Sequence, residues 1–221
     1  MHVWVMQTGE RLPHVHGDDH RPMRAANVTR FLLDAGHRVT LWSGDFLHQS
    51  HSHTFGGNTI VRPEANLEIR LLSSRGYQSN IGPGRIVDHI QLARSLGRRL
   101  QRSLPPDVAF VGFPPVEFAH VATRWLVSRR VPVLLDVKDQ WPEVLTRPIP
   151  PPLKGMASLS TMPLMWARRS TFRQATGIST ISQPFLDWSL AQAGRGPQPC
   201  DLVVPLTSPQ RVGDSDITEA G

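Results

Sequence analysis

Cysteine is almost absent: Cys200 is the only one among 221 residues. That excludes an internal disulfide framework and points to a reducing compartment. Lysine is nearly as scarce. Only Lys138 and Lys154 occur among 24 basic residues, set against 18 acidic ones, so arginine carries the formal charge of +6. Arginine's planar fork suits bidentate contact with phosphate and carboxylate, which favours an anionic ligand or an anionic membrane surface as partner. A GC-rich coding sequence that writes arginine for lysine is the plainer explanation. No apolar run approaches the length needed to cross a bilayer. The N-terminal MHVWVMQTGE has neither a basic start nor a long apolar stretch, so no signal peptide is expected. The expected location is the cytoplasm, with peripheral contact on the inner face of the cell membrane as an added option. No G-x-G-x-x-G follows the first apolar run, which disfavours a dinucleotide cofactor. The arginines are scattered rather than interleaved with aromatics, which disfavours nucleic acid. No internal repeat is present.

What is there is an alternation of short apolar runs and longer amphipathic stretches. The stretch from Val131 to Glu143, VPVLLDVKDQWPE, reads as a strand from Val131 to Leu135 buried on both faces, ending at Asp136. Earlier runs at His2 to Gln7, His37 to Trp42, Leu67 to Leu72 and Val108 to Val111 read the same way, as do Gly177 to Ser182 and Leu202 to Pro205. Between them, helices are expected from Arg21 to Ala35 (buried stripe Val28, Phe31, Leu32, Ala35), from about Arg85, from Val116 to Arg130, from Lys154 to Gln174 and from Gln183 to Ala193. Residues 43 to 66 read as a long irregular connection. Pro148 to Pro152 reads as a stiff linker. About seven strands alternating with helices predict an α/β fold, a Rossmann-like parallel sheet flanked by helices. One domain over 1–205 is expected, with 206–221 a polar tail or interdomain linker. The 154–174 segment reads either as an interfacial helix on an anionic membrane or as an ordinary amphipathic helix packed within the domain.

Ligands of open α/β sheets bind beyond the carboxyl ends of the strands, so the charges there are the site candidates. Asp136 and Asp139 are candidates for orienting a hydroxyl or taking its proton, their mutual repulsion raising one pKa. Alternatively, Asp139 caps the next helix and Asp136 bonds loop amides. Gly9 and Gly17 let backbone amides approach an anion, with Arg21 and Arg24 at a helix start close by; turn glycines with surface arginines are the alternative. Glu10, at the mouth of the first strand, is a candidate for binding hydroxyls or an exposed turn acid, His48 a candidate base or an ordinary loop histidine, and Trp141 stacks on a ligand ring or plugs the domain. Histidines 14, 16 and 20 and histidines 48, 51 and 53 lack the spacing and cysteine partners of common zinc sites, so no metal is expected.

These residues, taken in order, resemble the N-terminal half of bacterial GT-B glycosyltransferases of family 4, the surface-polysaccharide type. The carriers are Gly9-Glu10 with Pro13 and Arg21-x-x-Arg24; GHRVTLW at 36–42 with Asp45-Phe46 and His48; and Gly76-Tyr77 with Asn80, Arg85 and His89. Pro106-Asp107, Pro114-Pro115-x-Glu117 and DVKDQWPE at 136–143 complete the set. Lys138 stands where the family pattern has arginine, and Gly82 where serine is common. The resemblance implies an acceptor-side domain of a retaining hexosyltransferase that moves a sugar from a nucleotide-diphosphate donor to a lipid-linked or saccharide acceptor. It implies catalytic roles for Asp136 and Asp139, acceptor contacts at Glu10, His48, Tyr77, Trp141 and Glu143, and diphosphate contacts at Gly9, Gly17, Arg21 and Arg24. No bound cofactor is implied; the nucleotide-diphosphate sugar is a substrate. The resemblance further implies a C-terminal donor domain with a basic pair and a glutamate motif, which is not expected within these 221 residues, so a donor domain in trans is one implied partner. The competing reading is a truncated, non-catalytic module that docks on a partner subunit or membrane through 154–174.

Overall fold

The computed structural model describes residues 1–17, 21–79, 82–142 and 154–205. Asp18, Asp19, His20, Asn80, Glu143, the 148–152 linker and the tail fall outside them. Ten strands and five helices occur among the described residues. In chain order they are β1 (His2–Met6), α1 (Arg24–Asp34), β2 (Arg38–Gly44), β3 (Phe46–Leu47), β4 (Ser52–His53), β5 (Thr59–Glu64) and β6 (Leu67–Leu72). They continue with α2 (Pro83–Leu100), β7 (Val108–Phe113), α3 (Val116–Val127), β8 (Val133–Val137), α4 (Lys154–Gln174), β9 (Gly177–Thr180), α5 (Gln183–Ala193) and β10 (Leu202–Val203).

Eight strands form one sheet in the order β10-β9-β8-β7-β1-β2-β6-β5. Every neighbouring pair is parallel except β5 with β6. This is an α/β fold with a Rossmann-like sheet. The near-continuous apolar runs of β1, β7 and β8 are what a strand covered on both faces requires. One face packs Trp4, Met6 and Trp42 against Leu92 of α2, Ala119 of α3, Phe172 of α4 and Leu186 of α5. The other packs Val5, Leu41 and Ile69 against Ala25 of α1. Trp4 stacks on Trp125 with ring centroids 5.4 Å apart and meets Trp42 at 5.1 Å.

Several elements differ from the sequence reading. β8 runs through Asp136 to Val137, pairing Asp136 with Gly112 of β7 and Ser179 of β9; a carboxylate can sit inside the sheet because cations and a hydroxyl meet it there. The 43–66 connection contains a small hairpin, β3 with β4, and an edge strand, β5. β5 escapes a search for apolar runs because it is half-exposed and contains Pro63, a residue that edge strands tolerate. Phe31 lies outside the buried stripe of α1 and is 73% exposed; Ala25, Ala26 and Thr29 are the buried positions. In α4, Arg169 and Arg173 are exposed but Arg168 is not. It is buried, donating to the Trp141 carbonyl at 2.9 Å and the Gln192 amide oxygen at 2.7 Å. No described helix is long and apolar enough to cross a membrane.

Candidate functional site

From β1 the chain builds outward through β2 and β6 on one side, then returns to lay β7 on the other side of β1. The order therefore reverses between β1 and β7, and the crevice beyond their carboxyl ends is where such sheets bind ligands. A cavity of about 230 Å³ lies there, walled by Gly9 and Glu10 after β1, Pro114 and Pro115 after β7, and Lys138 after β8. The opposite wall brings His48, Tyr77, Arg85, Asp88 and His89. Gln7 reaches the floor because Gly112 has no Cβ, whose place the Gln7 amide fills.

Glu10 is the hub on the β1 side. Its Oε2 accepts from the Ala25 amide at 2.9 Å, and Oε1 is ion-paired with Lys138 Nζ. Asp136 is fully buried, accepts from Arg24 Nη1 at 2.7 Å and Ser179 Oγ at 2.8 Å, and lies 3.9 Å from Lys138 Nζ. Burial pushes the Asp136 carboxyl up, against the pull of Arg24 and Lys138. The carboxylates brought together are thus Glu10 and Asp136, with Lys138 between them. The expected coupling of Asp136 with Asp139 is not what forms: Asp139 is exposed, accepts from the neighbouring Gln140 amide at 2.8 Å, and does not line the cavity.

The anion-binding expectation needs a similar correction. The N-terminus of α1 already receives a negative charge, the Glu10 carboxylate, at the amide of Ala25. Arg24 is engaged by Asp136 and by the Val204 carbonyl at 3.0 Å. Arg21 and Gly17 are exposed and outside the cavity wall; Gly9 lines it. The cations that do line it are Arg85 and Lys138. Trp141 is buried beneath, with the Arg85 guanidinium 4.8 Å above its ring and His89 at 5.8 Å.

On the α2 side two buried carboxylates shape the wall. Asp45 accepts from the amides of Phe55 at 2.8 Å and Gly56 at 3.0 Å, holding the β3–β4 hairpin. Asp88 accepts from the Gly76 amide at 2.6 Å. Gly76, with φ of +76° and the Phe46 ring where a Cβ would stand, is a position only glycine fills without strain. These loops present His48 and Tyr77, joined Nδ1 to hydroxyl at 2.7 Å. Burial, then Arg85 and His51, lower the His48 pKa; burial raises that of Tyr77. With both neutral, a Tyr77 hydroxyl that accepts from Nδ1–H leaves Nε2 as a proton acceptor, the form a general base requires. Within the same wall, His89 Nδ1 lies 3.7 Å from Glu117 Oε2 in the first turn of α3. Burial drives His89 down to about 3 and Glu117 up to about 7.

His16 is used structurally, bonding the Leu12 amide at 2.9 Å and Thr54 Oγ1 at 3.0 Å. His51 and His53 bond the carbonyls of Tyr77 and Arg75. No group of metal-ligating side chains forms among the described residues.

Fold and crevice together define an α/β protein with a Rossmann-like sheet and, at its switch point, a pocket lined by two cations among apolar and polar side chains. No known protein family and no curated protein matches the sequence. Among solved structures it is similar to Os79 from O. sativa, determined in complex with UDP, at 12% identity and a TM-score of 0.43. That match covers 88% of this chain and 49% of the other, so the chain spans about half the length of that structure.

Proposed function

We propose that this chain is the N-terminal, acceptor-side domain of a GT-B glycosyltransferase of family 4 type, taking part in sugar transfer from a nucleotide-diphosphate sugar to a hydroxyl of a lipid-linked or saccharide acceptor. The observation that carries the reading is the switch-point pocket, in which carboxylate, imidazole, phenol and two cations meet at the positions of the family resemblance. Such a transfer needs a seat for the acceptor, a proton acceptor and positive charge for the departing diphosphate. Glu10, His48 and Tyr77 seat the acceptor hydroxyl, and His48 takes its proton. Lys138 and Arg85 face the leaving diphosphate. Asp136 acts one step back, fixing Lys138 and Arg24, while Gly9 opens the rim. The nucleotide part of the donor belongs on a second domain, supplied in cis or in trans.

The test joins this chain to a family 4 donor domain and follows labelled sugar transfer to a lipid-linked acceptor. Transfer is expected, and Lys138→Met should lower kcat about a hundredfold, the usual effect of removing one transition-state donor, with little change in KM for the acceptor. Absence of transfer with every donor domain, together with no saccharide-induced amide shifts at Gly9, Tyr77 or Arg85 in the chain alone, rejects the reading.

A further inference from the structure

A second and larger concavity runs along the outer side of α2, between that helix and the β5–β6 edge of the sheet, with a volume of about 1080 Å³. It begins at Ser74, which it shares with the switch-point pocket, and ends at Ser103. Arg75, Arg94, Arg98, Arg99 and Arg102 line it together with Arg70. No acidic and no aromatic side chain lines it. Arg70 is matched by Glu68 at 2.5 Å, and Arg99 donates to Asn58 Oδ1 at 3.3 Å. For Arg75, Arg94, Arg98 and Arg102 no carboxylate partner lies within ion-pair distance among the described residues. A chain with a formal charge of +6 therefore concentrates unmatched cations in one groove, where they repel each other. Ser73 and Ser74 also line it, while the Ser95 and Ser103 hydroxyls donate to Asn58 Oδ1 and to the Arg99 carbonyl.

We propose that this groove binds a soluble, linear ligand carrying several phosphate groups. Arg94 and Arg98 lie one turn apart on α2, their backbones about 6 Å apart along the axis, and Arg102 follows in the turn just after the helix ends at Leu100. A chain of anionic groups can meet all three, and a single phosphate cannot. The forked guanidinium is the side chain suited to phosphate. Concavity argues against a flat bilayer surface, and the lack of aromatics removes the stacking platform that single-stranded nucleic acid uses. The site touches the sugar-transfer pocket only at Ser74 and stands or falls independently of it.

Calorimetric titration with inorganic tripolyphosphate and with orthophosphate tests the assignment. Tripolyphosphate should bind at least tenfold more tightly, and Arg94→Gln/Arg98→Gln/Arg102→Gln should weaken it at least a hundredfold without changing the melting temperature. A variant with equal charge loss elsewhere, Arg124→Gln/Arg169→Gln/Arg173→Gln, should bind as the wild type does. Equal weakening in both triple variants, or equal affinity for the two phosphates, overturns the proposal. So does flotation with phosphatidylglycerol vesicles by a protein that ignores tripolyphosphate.

Discussion

Asp136 shows how much a single buried carboxylate depends on its partners. Its side chain is fully buried, and Arg24 reaches it from α1 across more than a hundred residues of sequence. Arg24→Met strands that charge and should cost about 3–5 kcal/mol in urea unfolding. Arg24→Met/Asp136→Leu should recover most of the loss, because the stranded charge goes with its partner. The neighbouring pair His89 and Glu117 makes a pH prediction. Glu117 is raised from 4.5 to about 7, so its protonated form is favoured by the fold: that stability is complete below pH 4.5 and is lost as pH rises through 7. His89 is lowered from 6.5 to about 3, so its contribution is complete above pH 6.5 and is lost as pH falls through 3. Glu117→Gln removes the first effect alone. Relative to wild type it should gain on the order of 3 kcal/mol between pH 4.5 and 8, read from denaturant midpoints at each pH. If the two proteins track each other across that range, the Glu117 carboxyl is not desolvated.

Elements explain which residues reach the crevice. Each parallel strand delivers its following loop to the same end of the sheet, so Glu10, Pro114 and Lys138, far apart in sequence, converge without any local signal that they should. The strands themselves were readable because burial on both faces writes a run of apolar residues; β5 was not, since an edge strand half in solvent has no such run. The end of β8 misled for a related reason. Charge at Asp136 looked like a strand terminus, whereas Arg24, Ser179 and Lys138 supply what a buried carboxylate needs and let the strand continue. At the other side of the sheet, Gly177 opens β9 where a Cβ would overlap the backbone carbonyl of Cys200. Gly177→Ala should therefore destabilise by about 1–3 kcal/mol, as overpacking does, and loosen the 198–203 segment in hydrogen exchange. An unchanged unfolding midpoint would mean that this segment yields freely.

At the scale of the whole molecule, stability rests on the two-sided cover of the sheet, and the tryptophan stack at its centre is the heaviest single element of that cover. Trp4 is buried between Trp42 and Trp125. Trp4→Ala should cost about 3–5 kcal/mol, measured by thermal or urea unfolding. α4 belongs to this scale as well: its buried Arg168 ties it to the Trp141 carbonyl and to Gln192 of α5, while Trp166 on the same helix is 63% exposed. The sequence by itself determined the alternation of strands and helices and the parallel sheet, because burial and turn chemistry are written locally. It also singled out Glu10 and His48, and the family resemblance added Tyr77; all three line the pocket. Only the tertiary structure decided that Glu10 rather than a ligand meets the α1 N-terminus, that Arg24 pairs with Asp136, and that Lys138 and Arg85 are the cations of the crevice. The physical reason is that charge pairing in a folded chain is settled by distance in space, and the strand order that sets those distances leaves no mark on any one stretch of sequence.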